Sequence, residues 1–194
     1  MPPRSIVSAA PADEARVLSI LATAFSSDPV SRWALPESHQ YLTYFPQIVQ
    51  RMGGAAFKHG SAYCTDDFLG ASLWLPPGVH PDQEGVGEVA ERAVAPAEQE
   101  KVFGFREQRA EYHPTEPHWY LPFIGVDPVM QGAGYGSALL KYALVFADRD
   151  KLPAYLEATS PASRRLYERH GFEAIGEVQA GDSPTLWPML RKPR

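Results

Sequence analysis

Several features are scarce in this sequence of 194 residues: it has a single cysteine, no long apolar run and no basic cluster. One cysteine, Cys64, excludes an intrachain disulfide and a zinc site built on paired thiolates. No stretch of about 18 uncharged apolar residues is present, so no membrane-spanning helix is expected. Asp13 and Glu14 come too early for the apolar core of a signal peptide. The sequence therefore predicts a cytoplasmic protein without a membrane partner.

The net charge of the chain is small and negative. The 18 lysines and arginines face 23 aspartates and glutamates, which gives a net charge of −5. A nucleic-acid partner is not expected at this charge, whereas an acidic protein raises the local concentration of cationic amines. Hydrophobic residues make up 44% of the chain, close to the globular average of about 45–50%. Length and composition together predict a single domain, residues 1–194.

The first half of the sequence predicts a short strand, helices and a hairpin. Apolar residues at helical spacing, with a stop at Gly53 and Gly54, indicate two helices within residues 13–53. Residues 61–65 and 71–75 have strand composition and indicate a hairpin. Residues 81–117 are polar and glutamate-rich, and they predict one or two helices without defined ends.

The last third predicts strands and helices in alternation. Residues 119–126 are almost continuously apolar, as expected for a strand covered on both faces. Ser160 and Pro161 suit a helix N-cap and first position, and Gly171 suits the position after the helix end. The other segments are a helix at 138–147, a strand at 153–158 and a strand pair at 172–178 and 185–190.

A glycine-rich loop, residues 131–137, lies between the apolar strand and the next helix. N–H groups at a helix start lack intrahelical partners, so this loop predicts an anion site, with a simple packing turn as the alternative. A nucleoside triphosphate loop would need Lys and then Ser or Thr where Ser137 and Ala138 stand. A dinucleotide loop fits better, because Glu157 follows after about twenty residues, but its third glycine position is Ser137.

The loop resembles the coenzyme A loop of the GNAT superfamily of acetyltransferases, Q/R-x-x-G-x-G/A, in which Gln131, Gly134 and Gly136 match in register. Residues 155–159 resemble the fifth strand of the family, and residues 167–172 resemble its Y-x-x-x-G-F element. Within the superfamily the chain is most similar to puromycin N-acetyltransferase-like members. The shared features are Glu116-Pro117-x-Trp119, Gly125-Val126, Leu156-Glu157 and Arg191-Lys192-Pro193.

This resemblance implies an α/β fold of the α+β type, with a mixed, mostly antiparallel sheet of about six or seven strands that is flanked by helices and splayed between strands four and five. It implies acetyl-CoA as cosubstrate, bound within residues 117–178, and no metal. Ser160 stands where the family usually has Asn. The residues at coenzyme-contacting positions are Ile124, Gly125, Val126, Gln131, Gly132, Ala133, Gly134, Tyr135, Gly136, Ser137 and Ser160.

Direct acetyl transfer needs a neutral amine and a protonated leaving thiolate. An amine with a pKa of about 10.4 is neutral in about one molecule in a thousand at pH 7, a deficit of about 4 kcal/mol. The motif places Glu157 as the base, acting through a water, and the resemblance assigns Tyr167 as the general acid. The alternatives are a structural hydrogen bond for Glu157 and simple burial for Tyr167.

The acceptor is expected to be a small-molecule amine, with an antibiotic or aminonucleoside implied by the resemblance. Its pocket is expected between the first two helices, with Phe25, Trp33, Tyr41 and Tyr44 as aromatic walls and Asp28 as the acid for an ammonium group. Ordinary helix packing is the alternative for each. Two other functions stay open: acetylation of protein or peptide amines, and coenzyme A sensing without catalysis. A monomer or homodimer is expected.

The sequence also contains two nearby histidines, His113 and His118. The intervening Pro114 and Pro117 prevent them from sharing a helical face as a metal pair would, so surface or core roles are expected.

Overall fold

The structure is a computed structural model that describes residues 5–194, so residues 1–4 of the expected domain lie outside the described part. Its strands form one seven-stranded sheet in the order β1-β2-β3-β4-β5-β7-β6. Only the pair β4–β5 is parallel, which confirms the mixed sheet expected from the sequence. The strands are β1 (Ile6–Ser8), β2 (Ala62–Thr65), β3 (Gly70–Leu75), β4 (Trp119–Val126), β5 (Ala154–Ala158), β6 (Glu173–Ala174) and β7 (Trp187–Arg191).

Helices cover both faces of this sheet. On one face α1 and α3 pack against β3 and β4 around Leu21 and Phe45, and on the other α7 packs around Leu139 and Leu140. No helix within residues 5–194 combines the length and the apolar character needed to cross a membrane. The helices are α1 (Glu14–Ala24), α2 (Pro29–Ala34), α3 (Ser38–Gly53), α4 (Ala55–Lys58), α5 (Gln83–Ala93), α6 (Pro96–Ala110), α7 (Tyr135–Asp150) and α8 (Pro161–Arg169).

The pairing of β4 with both of its neighbouring strands changes halfway along β4. Against β3, Leu75 pairs with Tyr120 and Leu73 pairs with Phe123, so two residues of β4 oppose one residue of β3. Such a bulge bends the strand and increases its local twist. Against β5, the pairing ends at Leu121 opposite Leu156. The two parallel strands therefore separate beyond this point, where the splay was expected.

Local capping explains where the structure departs from the predicted boundaries. Helix α7 begins at Tyr135 instead of 138, since its first turn includes the last glycine of the loop. An additional helix, α2, follows Asp28, whose carboxylate accepts a hydrogen bond from the N–H of Ser31 at 2.9 Å. The region 81–117 contains two helices, α5 and α6, and Asp82 caps the first through the N–H of Gly85 at 2.9 Å.

Candidate active site

The gap between β4 and β5 presents backbone groups of β4 that no strand of the described chain pairs. The N–H of Asp127 donates to the carbonyl of Leu69 on the β3 side, at 2.8 Å. Because successive residues of a strand direct their N–H and C=O groups to opposite sides, those of Val126 and Ile124 are directed toward the gap. Those of Gly125 are directed toward β3 instead. Two of the three expected strand-four contacts therefore offer backbone groups to a ligand in the gap.

The glycine-rich loop, residues 131–137, leads from the end of β4 into the first turn of α7. Gly132 and Gly134 have φ angles of 79° and 91°, a region that L-residues with side chains rarely adopt. N–H groups in the first turn of a helix lack carbonyl partners within that helix, and the helix dipole there is positive. A Cβ on Gly136 would lie 3.2 Å from Cδ2 of Leu166 on α8, so this glycine allows α7 and α8 to approach closely.

Three side chains of the predicted coenzyme loop are bonded within the protein. The Gln131 side chain donates to the carbonyl of Val126 at 3.3 Å, and the hydroxyl of Tyr135 donates to Asp67 at 2.9 Å. Ser137 Oγ lies 2.7 Å from Nε2 of His170. The loop therefore offers a ligand its backbone more than its side chains.

Glu157 lies where the two strands separate, one residue beyond the last β4–β5 pair. Its carboxylate accepts a hydrogen bond from the hydroxyl of Tyr120 at 3.0 Å and pairs with Nε of Arg109 at 3.6 Å. The side chain is 8% exposed. A carboxylate has about four lone-pair positions, so these two partners leave room for a further donor.

Tyr167 lies across the gap from β4, on α8, and is buried. Its hydroxyl makes no hydrogen bond to any other described residue, and its side chain reaches the same cavity as Glu157 and Ile124. Burial, with smaller contributions from the charges of Asp28 and Glu157, raises the pKa of Tyr167. The phenol is therefore protonated at neutral pH.

Ser160 and Asp28 serve as helix caps beside this gap. Ser160 Oγ accepts from the N–H of Ser163 at 3.1 Å, so the expected coenzyme contact at Ser160 would have to share this hydroxyl. Asp28 accepts from Ser31 and, through its other oxygen, from the hydroxyl of Thr159. Burial raises the pKa of Asp28.

A cavity of about 160 Å³, here called the apolar cavity, extends from Tyr167 and Glu157 away from the glycine loop. Side chains of α2, α3, α5 and α6 close it, so more helices contribute than the two that the sequence indicated. Most of its lining is aromatic or aliphatic. The aromatic and aliphatic members include Phe25, Trp33, Phe45, Ile48, Met52, Val86, Val94, Val102, Phe105 and Phe123.

The expected acceptor residues divide into two groups. Phe25 and Trp33 line the apolar cavity. Tyr41 does not: it is 2% exposed, stacks on Phe45, and its hydroxyl donates to the carbonyl of Ala22 at 2.7 Å, because α3 packs directly on α1. Asp28 is also absent from the cavity lining, since its carboxylate caps α2 and binds Thr159. The helix-packing alternative therefore describes Tyr41 better than a substrate contact does.

Two arginines at the site, Arg106 and Arg109, were not predicted from the sequence. Both lie on α6 and line the apolar cavity as well as a second cavity of about 390 Å³ between α5, α6 and the start of β4. Burial alone would lower the pKa of Arg109, but Glu157, Tyr120 and Tyr155 outweigh it and raise the pKa. Their spacing of three residues on a glutamate-rich helix was a weak signal, because such charges are usually solvated.

The rings of His113 and His118 contact each other at the edge of the second cavity, although the two residues do not share a helix. Their Nε2 atoms lie 3.2 Å apart, and the ring of His113 packs edge-on against Tyr120 and Tyr155. Nδ1 of His118 lies 2.7 Å from the carbonyl of Glu116, so this nitrogen carries the hydrogen. Burial, followed by His118, Arg109 and His80, lowers the pKa of His113 to about 4. Within residues 5–194 no cluster of three or more metal-binding side chains occurs.

The sheet splays between its two parallel strands, with a glycine loop on one side and a buried carboxylate and phenol on the other, and this is the architecture of the acetyltransferase fold. The model of the acetyltransferase (GNAT) family matches residues 62–172, more than half of the chain. The chain therefore belongs to this family and is an acetyltransferase, and acetyl-CoA is the cosubstrate that the family uses.

Individual relatives agree with this assignment. An uncharacterized N-acetyltransferase of Schizosaccharomyces pombe is 26% identical over 93% of this chain and 80% of its own length. The structure of "histone acetyltransferase HPA2 and related acetyltransferase" from Corynebacterium glutamicum has 24% identity and a TM-score of 0.71, and the match covers 100% of this chain and 98% of that one. Arylalkylamine N-acetyltransferase 2 from Aedes aegypti has 14% identity and a TM-score of 0.67, covering 98% and 99%. The two structures show a shared fold.

Proposed function

We propose that this acetyltransferase moves the acetyl group of acetyl-CoA directly to the primary amine of a small molecule bound in the apolar cavity. The observation that carries the proposal is that one cavity reaches Glu157, Tyr167 and the gap-side strand residue Ile124. An amine in this cavity would lie beside a carboxylate and a phenol at the point where a thioester in the gap would end. Both substrates could then be bound together, as direct transfer requires.

The gap and the glycine loop fit the coenzyme by backbone chemistry. The loop glycines at positive φ leave no Cβ between the backbone and a pyrophosphate, and Gly132 has open space around it. The groups of Ile124 and Val126 that are directed to the gap would bind the amides of the pantetheine arm. An N–H from Val126 near the thioester carbonyl would stabilise the developing oxyanion, a contribution of about 3–4 kcal/mol where one such donor has been removed.

Glu157 is proposed as the proton acceptor for the amine, directly or through a water. Arg109 and Tyr120 hold its carboxylate at the splay, and they are therefore positioning residues for the base. Attack by the free amine forms the new C–N bond and expels the coenzyme thiolate. General base assistance of this kind contributes about 10²- to 10⁴-fold in rate.

Tyr167 is proposed as the donor that protonates the leaving thiolate. Its unbonded hydroxyl is protonated at neutral pH, as an acid must be before the reaction. Since the usual pKa of tyrosine is about 10 and that of a thiol about 8.5, donation is uphill by at least about 2 kcal/mol. The donation is therefore coupled to cleavage of the C–S bond, which removes the thiolate as it forms.

A small acceptor suits the shape of the site better than a protein side chain does. The cavity is walled by side chains of four helices and measures about 160 Å³, a size that suits a small side group. Structures with the same fold include a polyamine N-acetyltransferase of Drosophila melanogaster and arylalkylamine N-acetyltransferases, which are named for small amines, as well as the one named for histone acetyltransferase HPA2. We extend the small-amine class of acceptor, though not its members, to this chain.

Two residues of the puromycin-like motifs, Trp119 and Arg191, make contacts within the scaffold. Trp119 donates from Nε1 to Asp150 at 3.1 Å, and buried Arg191 forms two hydrogen bonds to Asp148 at 2.7 and 2.8 Å. Neither residue lines the apolar cavity. An aminonucleoside therefore belongs in the test panel as one candidate among other amines.

The test begins with calorimetric titration of the chain with acetyl-CoA and, separately, with reduced nicotinamide dinucleotide. We expect micromolar binding of acetyl-CoA alone. Thiol release is then followed with a panel of small amines, puromycin and lysine-containing peptides. Acetylation of a small amine and not of the peptides supports the proposal.

The variant Tyr167→Phe tests catalysis separately from binding. It should lower kcat by tenfold or more while leaving the dissociation constant of acetyl-CoA unchanged. Tyr142→Phe is the matched control, because this partly exposed tyrosine lies on α7 and lines neither cavity. Dinucleotide binding without acetyl-CoA binding would overturn the assignment, and unchanged turnover in Tyr167→Phe would remove the proposed acid.

A further inference from the structure

Arg106 places a positive charge in the wall of the apolar cavity and forms no ion pair with a described carboxylate. None of the ion pairs within residues 5–194 includes Arg106. It lies one helical turn before Arg109 on α6, and both arginines line both cavities. Arg109 is paired with Glu157, whereas the nearest described ring to Arg106 is that of Phe103, at 5.9 Å. Arg106 is partly buried, and charged side chains are rarely withdrawn from water without a partner.

The charged side chains that line the apolar cavity do not balance one another. Three of its lining side chains are charged, namely Arg106, Arg109 and Glu157. Since the last two neutralise each other, one positive charge remains. Burial, and then the neighbouring Arg109, lower the pKa of Arg106. An anion beside this guanidinium would oppose both effects.

We propose that the acceptor carries a carboxylate as well as its amine, and that Arg106 binds this carboxylate while Glu157 faces the amine. The substrate class is then an amino acid or related aminocarboxylate with an apolar or aromatic side group. This inference rests on the proposed acetyltransferase function of the same site and deepens it. Glu157 and Arg106 both line the apolar cavity, and the proposal requires that one small molecule contacts both.

Chemistry favours a carboxylate over other partners at this position. The planar guanidinium group matches a carboxylate with two parallel N–H···O bonds. Aromatic walls such as Phe25 and Phe105 would hold the side group of the acceptor. A polyamine, by contrast, would place its second ammonium group in a cavity that already carries excess positive charge and no acid besides Glu157 within the described lining. The same fold thus serves amine acceptors of different charge.

The first experiment needs no known acceptor. The full chain, in the presence of coenzyme A, is titrated by calorimetry with 3-phenylpropionate and with the neutral amide of the same shape, 3-phenylpropanamide. The carboxylate should bind about 10- to 100-fold more tightly, the ratio expected of charge-assisted hydrogen bonds. Arg106→Met should abolish this preference and Arg106→Lys should retain part of it. Arg92→Gln, an exposed arginine that lines neither cavity, is the control and should keep the preference.

The second experiment measures acetyl transfer to matched pairs: phenylalanine and phenethylamine, tryptophan and tryptamine. The ratio of kcat/KM within each pair is compared between the natural chain and Arg106→Met, so that differences in amine basicity cancel. The amino acid should lose about tenfold or more relative to the amine in Arg106→Met, through its KM. The KM for acetyl-CoA should not change.

The outcomes separate this inference from the function on which it rests. Equal binding of acid and amide, no binding of either, or a preference that survives in Arg106→Met would overturn the carboxylate subsite while acetyl transfer to amines continues. Weakened acetyl-CoA binding in Arg106→Met would assign the arginine to the coenzyme instead and would also overturn it. Absence of acetyl-CoA binding by the natural chain would overturn the proposed function itself.

Discussion

The two ends of the site differ in composition: the end at the glycine loop consists of backbone groups, whereas the end at the apolar cavity consists of side chains. The loop end consists of backbone groups from β4, residues 131–137 and the start of α7, and these segments adjoin one another in sequence. The cavity end consists of side chains from α2, α3, α5 and α6, together with Glu157 of β5. Its key contacts join distant residues: Tyr120 to Glu157 across 37 positions and Asp28 to Thr159 across 131.

This difference has a functional consequence. The loop end depends on residues that can adopt the local φ angles. Its structure can therefore be retained throughout a family whose members all use the same cosubstrate. A cavity walled by side chains can change its specificity by single substitutions without a change of fold. The coenzyme end should therefore be sensitive to glycine substitutions, and the cavity end to changes of charge.

The largest expected effect is at Glu157, where the two ends meet. Glu157→Gln removes the proposed base, so kcat/KM should fall about 10²- to 10⁴-fold. The remaining activity should keep rising with pH toward the pKa of the amine, since the enzyme would then depend on amine that is already neutral. A pH profile of kcat/KM for both proteins measures this.

A milder variant keeps the proposed base and changes only one of the contacts that position it. Tyr120→Phe keeps the carboxylate and its ion pair with Arg109 but removes one hydrogen bond, so the loss should be about tenfold or less. If Glu157→Gln folds and retains activity within a few-fold of the natural chain, Glu157 is a structural residue and the base lies elsewhere.

The sequence predicted the loop end better than the cavity end for a physical reason. Strand β4, the loop glycines, the Ser160 cap and the Gly171 helix end are local signals, and the structure has a strand over 119–126, a cap at Ser160 and a φ of 88° at Gly171. Periodicity and capping act within a few residues, so they can be recognised from one sequence.

The cavity end depends on contacts that local patterns do not encode. Tyr41 and Trp33 have the same aromatic character in the sequence, yet packing of α3 on α1 buries the first and leaves the second in the cavity wall. The ion pair of Arg109 with Glu157 likewise joins two distant elements, α6 and β5. Polar and apolar residues are only weakly segregated on helix α6, so its sequence does not indicate which side chains face the cavity.

The next effect concerns Gly125, which lies between the two ends where α1 crosses β4. A Cβ there would lie 2.6 Å from Cβ of Ala24 and 3.1 Å from Cδ2 of Leu21. Gly125→Ala should therefore lower the free energy of unfolding by about 1–3 kcal/mol through overpacking. Urea unfolding measures this change.

Gly104→Ala is the matched control for that prediction. Gly104 lies within α6 and has no atom within 4 Å of an added Cβ, so alanine should stabilise the helix by about 0.5–1 kcal/mol. Equal stability of the two variants would show that α1 can move away from β4 at little cost.

A smaller change of stability, with a selective change of binding, is expected at Gly132. Gly132 and Gly60 have φ angles of 79° and 64°, and neither has an atom within 4 Å of an added Cβ. Alanine at either position should cost about 1–2 kcal/mol of stability through backbone strain. Only Gly132→Ala should also weaken acetyl-CoA binding, by about tenfold, in calorimetric titration. Similar affinity in Gly132→Ala and Gly60→Ala would contradict the assignment of the loop to the coenzyme.

The last expected effect concerns pH and His113, which lines the second cavity. The pKa of His113 is about 4 in the folded chain and about 6.5 in an unfolded one, so the unfolded state binds the additional proton between these values. Stability should therefore fall as the pH decreases from 6.5 toward 4, with a slope from this group of at most about 1.4 kcal/mol per pH unit. His113→Gln should reduce that slope, whereas exposed His39→Gln should keep it. Urea unfolding at several pH values measures both slopes, and an unchanged slope in His113→Gln would mean that the histidine pair is hydrated in solution.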